Sequence, residues 1–191
     1  METDFWIDKY KLNETGWDLG EISPPLKAFF DQLENKDLQL LIPGSGRSYE
    51  AEYLFHKGFT EVFVADIAAQ AISDFLDRCP GFPKSHCLIG DFFELNQKFD
   101  LIIEQTFFCA LPPTMRSNYA QKMSELLLPN GILCGVMFDF PLTEQGPPFG
   151  GSKPEYLNYF EEFFSIETME PCYNSHPSRE GIELFVKLIK R

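Results

Sequence analysis

Apolar residues along this chain alternate between two rhythms, one of strands and one of helices. Leu38-Gln39-Leu40-Leu41-Ile42 is a short apolar run of the kind a buried strand shows, and it stops at Pro43-Gly44-Ser45-Gly46-Arg47. An amphipathic stretch with Ala51, Leu54 and Phe55 follows. A second apolar run, Val62-Phe63-Val64-Ala65, then ends on Asp66. Upstream, Ser23 reads as an N-cap with Pro24 at the first helical position. Leu26, Phe29, Phe30 and Leu33 then take the spacing of one helical face. Downstream, a helix is predicted over about 68–78, with Ala71, Ile72, Phe75 and Leu76 inward. Cys87-Leu88-Ile89 reads as a third strand and Phe99 to Glu104 as a fourth. A helix over 113–128 presents Met115, Tyr119, Met123 and Leu126. Pro129-Asn130-Gly131 is a turn signal, and Ile132 to Phe138 a fifth strand. Residues 139–153, rich in Pro and Gly, read as a loop, followed by a short helix near 154–161. Phe163 to Thr168 and Ile182 to Ile189 complete the strands.

Seven strands with interspersed helices predict an α/β architecture: a Rossmann-like, mostly parallel sheet covered by helices on both faces. No repeat, low-complexity tract or linker divides the chain, so residues 1–191 are expected to form one domain. Residues 1–22 are polar and aromatic, carrying Phe5, Trp6, Tyr10 and Trp17, and are expected to act as a lid. Open α/β sheets bind ligands beyond the C-terminal ends of their strands. Gly44 and Gly46 after strand 1, Asp66 ending strand 2, Asp91 after strand 3, and Glu104 and Gln105 at strand 4 all fall there.

Glycines allow close passage of backbone to a ligand, and an acid about 20 residues on can accept hydrogen bonds from a ribose. The order strand, Gly turn, helix, strand, acid therefore points to a nucleoside-containing cofactor. A dinucleotide site wants a third glycine to seat a pyrophosphate at the helix N-terminus. That neighbourhood holds Glu50 instead, which would repel phosphate. An adenosine cofactor without phosphates fits better, and S-adenosylmethionine is one. Its sulfonium suits acidic and aromatic surroundings.

Composition narrows the partners. The net charge of −13 argues against binding nucleic acid or an anionic membrane surface. The five cysteines include no Cys-x-x-Cys pair, so neither a metal site nor a disulfide framework is expected. The opening Met1-Glu2-Thr3-Asp4 lacks a signal-like apolar stretch, and a reducing cytoplasm is the expected location. Twenty Phe predict an aromatic core, part of which lines a pocket. A monomer is expected.

Several segments together resemble the thiopurine, thiol and halide methyltransferase family. They are Gly16-Trp17-Asp18-Leu19-Gly20, Ile42-Pro43-Gly44-Ser45-Gly46, Gly90-Asp91-Phe92-Phe93 and Phe99-Asp100-Leu101-Ile102-Ile103-Glu104. Phe107-Phe108-Cys109-Ala110-Leu111, Met115-Arg116 and Gly146-Pro147-Pro148-Phe149 extend the likeness. It runs from Trp6 to about Arg179 and looks more like the plant-type halide and thiol enzymes. The resemblance implies a class I methyltransferase fold, S-adenosylmethionine as cofactor and S-adenosylhomocysteine as product. It assigns Trp6, Tyr10 and Trp17 to a roof over the cofactor, and Gly44 and Gly46 to its methionine portion. Asp66 falls to the ribose, Asp91 and Phe92 to the adenine, and Gln105 to a further cofactor contact.

The reaction implied is in-line displacement of a methyl group onto a small soft nucleophile: thiol, bisulfide, halide, thiocyanate or thiopurine. Phe107, Phe108, Phe138 and Phe149 are candidate walls of an apolar acceptor pocket, with His176 on a loop beside it. Glu104, Arg116 and Asp139 are the candidate catalytic groups. Arg116 stands in the first turn of its helix, where the dipole disfavours a cation, so it is read either as serving an anion at the site or as half of a plain salt bridge. Two other readings stay open: a noncatalytic module that senses S-adenosylmethionine, and a nucleotide-dependent oxidoreductase.

Overall fold

In the computed structural model, which describes residues 3–191, seven strands form one sheet in the order β3-β2-β1-β4-β5-β7-β6. They are β1 (Leu40–Pro43), β2 (Val62–Asp66), β3 (Cys87–Ile89), β4 (Phe99–Gln105), β5 (Leu127–Phe138), β6 (Phe164–Pro171) and β7 (Glu183–Lys190). Pairs from β3 through β5 are parallel, and β7 runs antiparallel to both neighbours. The expected mostly parallel α/β sheet is thus present. The order reverses between β1 and β4, which opens a crevice at their C-terminal ends.

Side chains on the central strands divide by alternate positions, as the period of a strand requires. Leu40, Ile42, Val62, Val64, Leu101 and Ile103 face one core; Leu41, Phe63, Ala65, Ile102 and Leu133 face the other. Helices α2 (Pro24–Phe30), α3 (Tyr49–His56) and α4 (Ala69–Arg78) cover the first side through Leu26, Leu54 and Phe75. Helices α5 (Arg116–Leu126) and α6 (Lys153–Phe160) cover the second through Tyr119, Met123, Tyr156 and Phe160. Each fully buried aliphatic or aromatic side chain contributes about 1.5–3 kcal/mol of transfer free energy.

Three local features depart from the sequence expectations. The leading segment contains a helix, α1 (Thr3–Lys11), which packs on α4. Met1 and Glu2, part of the proposed lid and of the opening read for targeting signals, lie outside the described residues. The turn signal at Pro129-Asn130-Gly131 does not separate α5 from a later strand, because α5 passes directly into β5 at Leu127. It forms a bulge instead: Leu127 pairs with Phe99 and Ile132 with Leu101, and Asn130 has φ +62°. Glu50 does not face the glycine turn. It is buried and accepts a hydrogen bond from Ser23 N at 3.0 Å, so a side chain satisfies the start of α2 from afar.

Phe75 is fully buried, its ring 4.8 Å from that of Phe82. Phe75→Ala should lower unfolding free energy by about 3–5 kcal/mol in urea denaturation, with little change in the slope of the transition.

Candidate active site

The turn after β1 is built for close approach. Gly44 and Gly46 have φ of +57° and +52°. A Cβ at Gly44 would lie 2.4 Å from the Phe107 ring, so only glycine fits there. Gly46 N donates to Asp66 Oδ2 at 2.9 Å, and Ala68 N donates to Asp66 Oδ1 at 2.9 Å. The carboxylate that ends β2 therefore organises both the β1 turn and its own. Burial pushes its pKa up, and the main-chain donors pull it back. Asp91 is exposed, and its Oδ1 accepts from Phe93 N at 2.9 Å, leading into a short 3-10 turn that buries Phe92.

The aromatic roof forms as a triad of edge-to-face rings. Trp17 lies 5.3 Å from Trp6 and 5.7 Å from Tyr10 between centroids. Arg47 secures the segment through Asp18 at 3.4 Å and ties it to Asp74 of α4 at 2.6 Å. Arg179 Nη2 donates to Trp17 O at 2.6 Å, joining positions 162 residues apart in sequence. Beneath the roof is a cavity of about 970 Å³, near the upper end for small-molecule sites. Trp6, Tyr10, Trp17, Gly44, Asp66, Asp91 and Phe92 all border it. Gly46 stands just behind, beneath Tyr10 Oη and Trp17 Nε1.

Thr106, Phe107, Cys109 and Ala110, from the loop after β4, form the middle of the wall. Phe138, Pro147, Pro148 and Arg179 form the far side. Arg179 is the residue that sequence reading missed. It precedes β7 without any periodic pattern, and only tertiary packing stacks its guanidinium 5.3 Å from the Phe138 ring. Glu183 accepts from it at 3.4 Å. Burial pushes the Cys109 thiol up to about 12, which keeps it protonated.

Several candidates lie outside this wall. Glu104 is fully buried behind it, accepting from Phe107 N at 2.8 Å and Phe108 N at 2.9 Å through Oε1, and from Tyr119 Oη through Oε2. Burial pushes its carboxyl up to about 7 against the pull of those donors. Arg116 is fully buried too. It makes a plain salt bridge with Glu155 at 2.7 Å, and its other nitrogen donates to Gly150 O at 2.7 Å. It therefore staples the Gly146-Pro147-Pro148-Phe149 loop, with Phe149 N bonded to Cys109 O at 2.7 Å. Phe108 and Phe149 back the wall without bordering the large cavity. Asp139 is solvent-exposed. His176 caps the turn that carries Arg179, its Nδ1 2.8 Å from Ser178 Oγ. Gln105 is half-buried beside Thr106, and its Oε1 has no partner among the described residues.

The groups present fit an adenosyl sulfonium. Trp6 Nε1 is a buried donor with no partner among the described residues, in the cavity wall. Three aromatic rings and a strand-end carboxylate supply the surroundings that a cation and a ribose require.

Fold and site together define a class I S-adenosylmethionine-dependent methyltransferase. Among solved structures, the 1,6-didemethyltoxoflavin-N1-methyltransferase of Burkholderia thailandensis, with bound 1,6-didemethyltoxoflavin and S-adenosylhomocysteine, matches at a TM-score of 0.79. It is 16% identical, over 98% of this chain and 86% of its own. A TehB-like methyltransferase from Corynebacterium glutamicum matches at 0.68 with 17% identity, over 99% and 98% of the two chains. In sequence, the "Probable thiol methyltransferase 2" of Arabidopsis thaliana is 32% identical over 156 residues, 79% of this chain and 69% of that protein. The thiopurine S-methyltransferase of Pseudomonas aeruginosa strain LESB58 is 29% identical over 190 residues, 89% and 87%. Residues 1–186 match the family described as thiopurine S-methyltransferase, and the chain belongs to it.

Two outcomes follow from this geometry. Gly44→Ala must move either the Phe107 ring or the turn, and it strains a positive φ. Calorimetry should show S-adenosylhomocysteine binding weakened by about tenfold or more, equivalent to the roughly 1–3 kcal/mol such strain costs. The second concerns pH. The native pKa of Glu104 lies above its usual 4.5, so the folded state binds more protons between about 4.5 and about 7. The stability associated with neutral Glu104 is complete below that window and lost as pH rises through about 7. Glu104→Gln should flatten this part of the curve of urea midpoint against pH.

Proposed function

We propose that this methyltransferase transfers its methyl group to a small soft nucleophile that enters as an anion or an easily ionised thiol. Thiols, bisulfide, halides, thiocyanate and thiopurines form this class. The observation that carries the reading is Arg179, a buried arginine ion-paired with Glu183 at 3.4 Å in a stretch of wall otherwise made by Phe138, Pro147 and Pro148. The guanidinium opposes the burial that raises a thiol's pKa in this wall, as it does at Cys109, and so lowers the cost of bringing in an anion or thiolate.

When bound, the cofactor supplies an electrophilic methyl on a sulfonium and departs as a neutral thioether. In this reading Trp6, Tyr10 and Trp17 stabilise the cation, by about 0.5–2 kcal/mol per good ring contact. Asp66 uses its remaining lone pairs for ribose hydroxyls, since each carboxylate oxygen accepts more than one bond. Asp91 and Phe92 receive the adenine, and Gly44 and Gly46 admit the methionine portion; Gln105 does not border the cavity and takes no part in this reading. Phe107 and Phe138 exclude water from the line of attack, because water would compete for the methyl group. A neutral leaving group needs no acid, so orientation carries the rate, worth up to ~7–11 kcal/mol.

The five cysteines are free thiols, which suits a reducing compartment, and no helix among the described residues is long and apolar enough to cross a membrane. We place the protein in the cytoplasm as a monomer.

The test is an acceptor panel at fixed S-adenosylmethionine, with iodide, bisulfide, thiocyanate, a small thiol and a thiopurine, read as methylated product. At least one should turn over. In Arg179→Gln the KM for the active acceptor should rise about tenfold, a loss of roughly 1.4 kcal/mol, with a smaller change in cofactor affinity. Equal losses of both would count against an acceptor role for this arginine.

A further inference from the structure

Thr106 is the most unusual backbone position in the wall. It is β-branched, yet it sits in the left-handed region with φ +58°. Side chains of its type avoid that conformation, so something must hold it. Its position gives it leverage. In the sheet order β4 lies between β1 and β5, so the loop after β4 separates the cofactor side of the cavity from the far side.

Within the turn Thr106 Oγ1 donates to Gln105 O at 2.7 Å, and Glu104 bonds the main chain that follows. One carboxylate oxygen accepts from the main-chain N–H of both Phe107 and Phe108, the two residues immediately after Thr106. The other accepts from Tyr119 of α5, which anchors the carboxylate to the helix layer. Across the sheet the backbone of Glu104 pairs with Gly135 of β5, where a Cβ would lie 2.1 Å from the Glu104 carbonyl oxygen and 2.5 Å from its Cβ. A glycine in the interior of a buried strand weakens the strand and marks a close approach. Here the space goes to Glu104. On its far side, the Phe107 ring occupies the place where a Cβ at Gly44 would stand.

We infer that Glu104 is the positioning residue of this methyltransferase. Its carboxylate, braced by Tyr119, holds Thr106 left-handed and so fixes Phe107 and the wall that aligns acceptor with methyl donor. It reaches neither cofactor nor acceptor and works through the turn. The activity readout rests on the acceptor reading above; the backbone readout does not.

The test compares Glu104→Met, which removes the acceptor oxygens, with Glu104→Gln, which keeps one. Each is made alone and with Thr106→Gly, because glycine adopts the left-handed region without strain. Glu104→Met should expose the Phe107 and Phe108 amides to hydrogen exchange and lower kcat by about tenfold to a hundredfold. Affinity for S-adenosylhomocysteine should change less. Glu104→Gln should retain most of the amide protection and rate, and Thr106→Gly should restore much of the rate in the Met variant while the two amides, still without an acceptor, stay unprotected. Should Glu104→Met fail to fold, Glu104→Asp, one methylene too short to keep all three donors, replaces it with the same expectations. Full amide protection in the Met or Asp variant, or no recovery on adding Thr106→Gly, would overturn the inference. The exchange measurement decides the matter even if no acceptor in the panel is methylated.

Discussion

The site depends on carboxylates at the ends of parallel strands holding the turns that follow them. Asp66 receives the N–H groups of Gly46 and Ala68, Glu104 those of Phe107 and Phe108, and Asp91 that of Phe93. Where a parallel strand stops, its chain must turn sharply with several main-chain donors unpaired. A short acid at the tip satisfies those donors within the protein. The same bonds aim the turns into one crevice, so the fold's way of ending its strands is also its way of building a ligand site.

This arrangement sets an electrostatic balance. Burial opposes the charge on Asp66 and Glu104, and the donors around each support it. The cations take structural posts. Arg116 braces the Pro-rich loop against α6, and Arg47 ties the roof to α4. Arg179 pins Trp17, pairs with Glu183 and borders the cavity. A chain with a net charge of −13 thus keeps a buried positive group in the wall of its site.

The central sheet was legible because burial on two faces leaves an unmistakable record. Leu40 to Ile42, Val62 to Asp66 and Phe99 to Gln105 are apolar runs closed by polar residues at the strand tips. Gly44, Asp66, Asp91 and Phe92, which border the cavity, were legible for the same reason, since they sit at fixed offsets from strand ends. Helix α1 was less so: nine residues are marginal for a helix alone, and it gains stability by docking Ile7 and Tyr10 against α4. The far side of the cavity was harder still. Phe138, Pro147 and Arg179 come from separate segments, and no spacing joins them.

Local sequence by itself determined where strands and helices fall, which faces they bury and which strand ends carry acids, because periodicity and turn chemistry act over a few residues. Only the tertiary structure decided which polar groups meet. It turned Glu50 toward Ser23, gave Arg116 to Glu155 and set Arg179 beneath Trp17. The physical reason is that a buried charge takes whichever partner packing brings within about 3 Å, and that distance is fixed by how layers stack, not by separation along the chain.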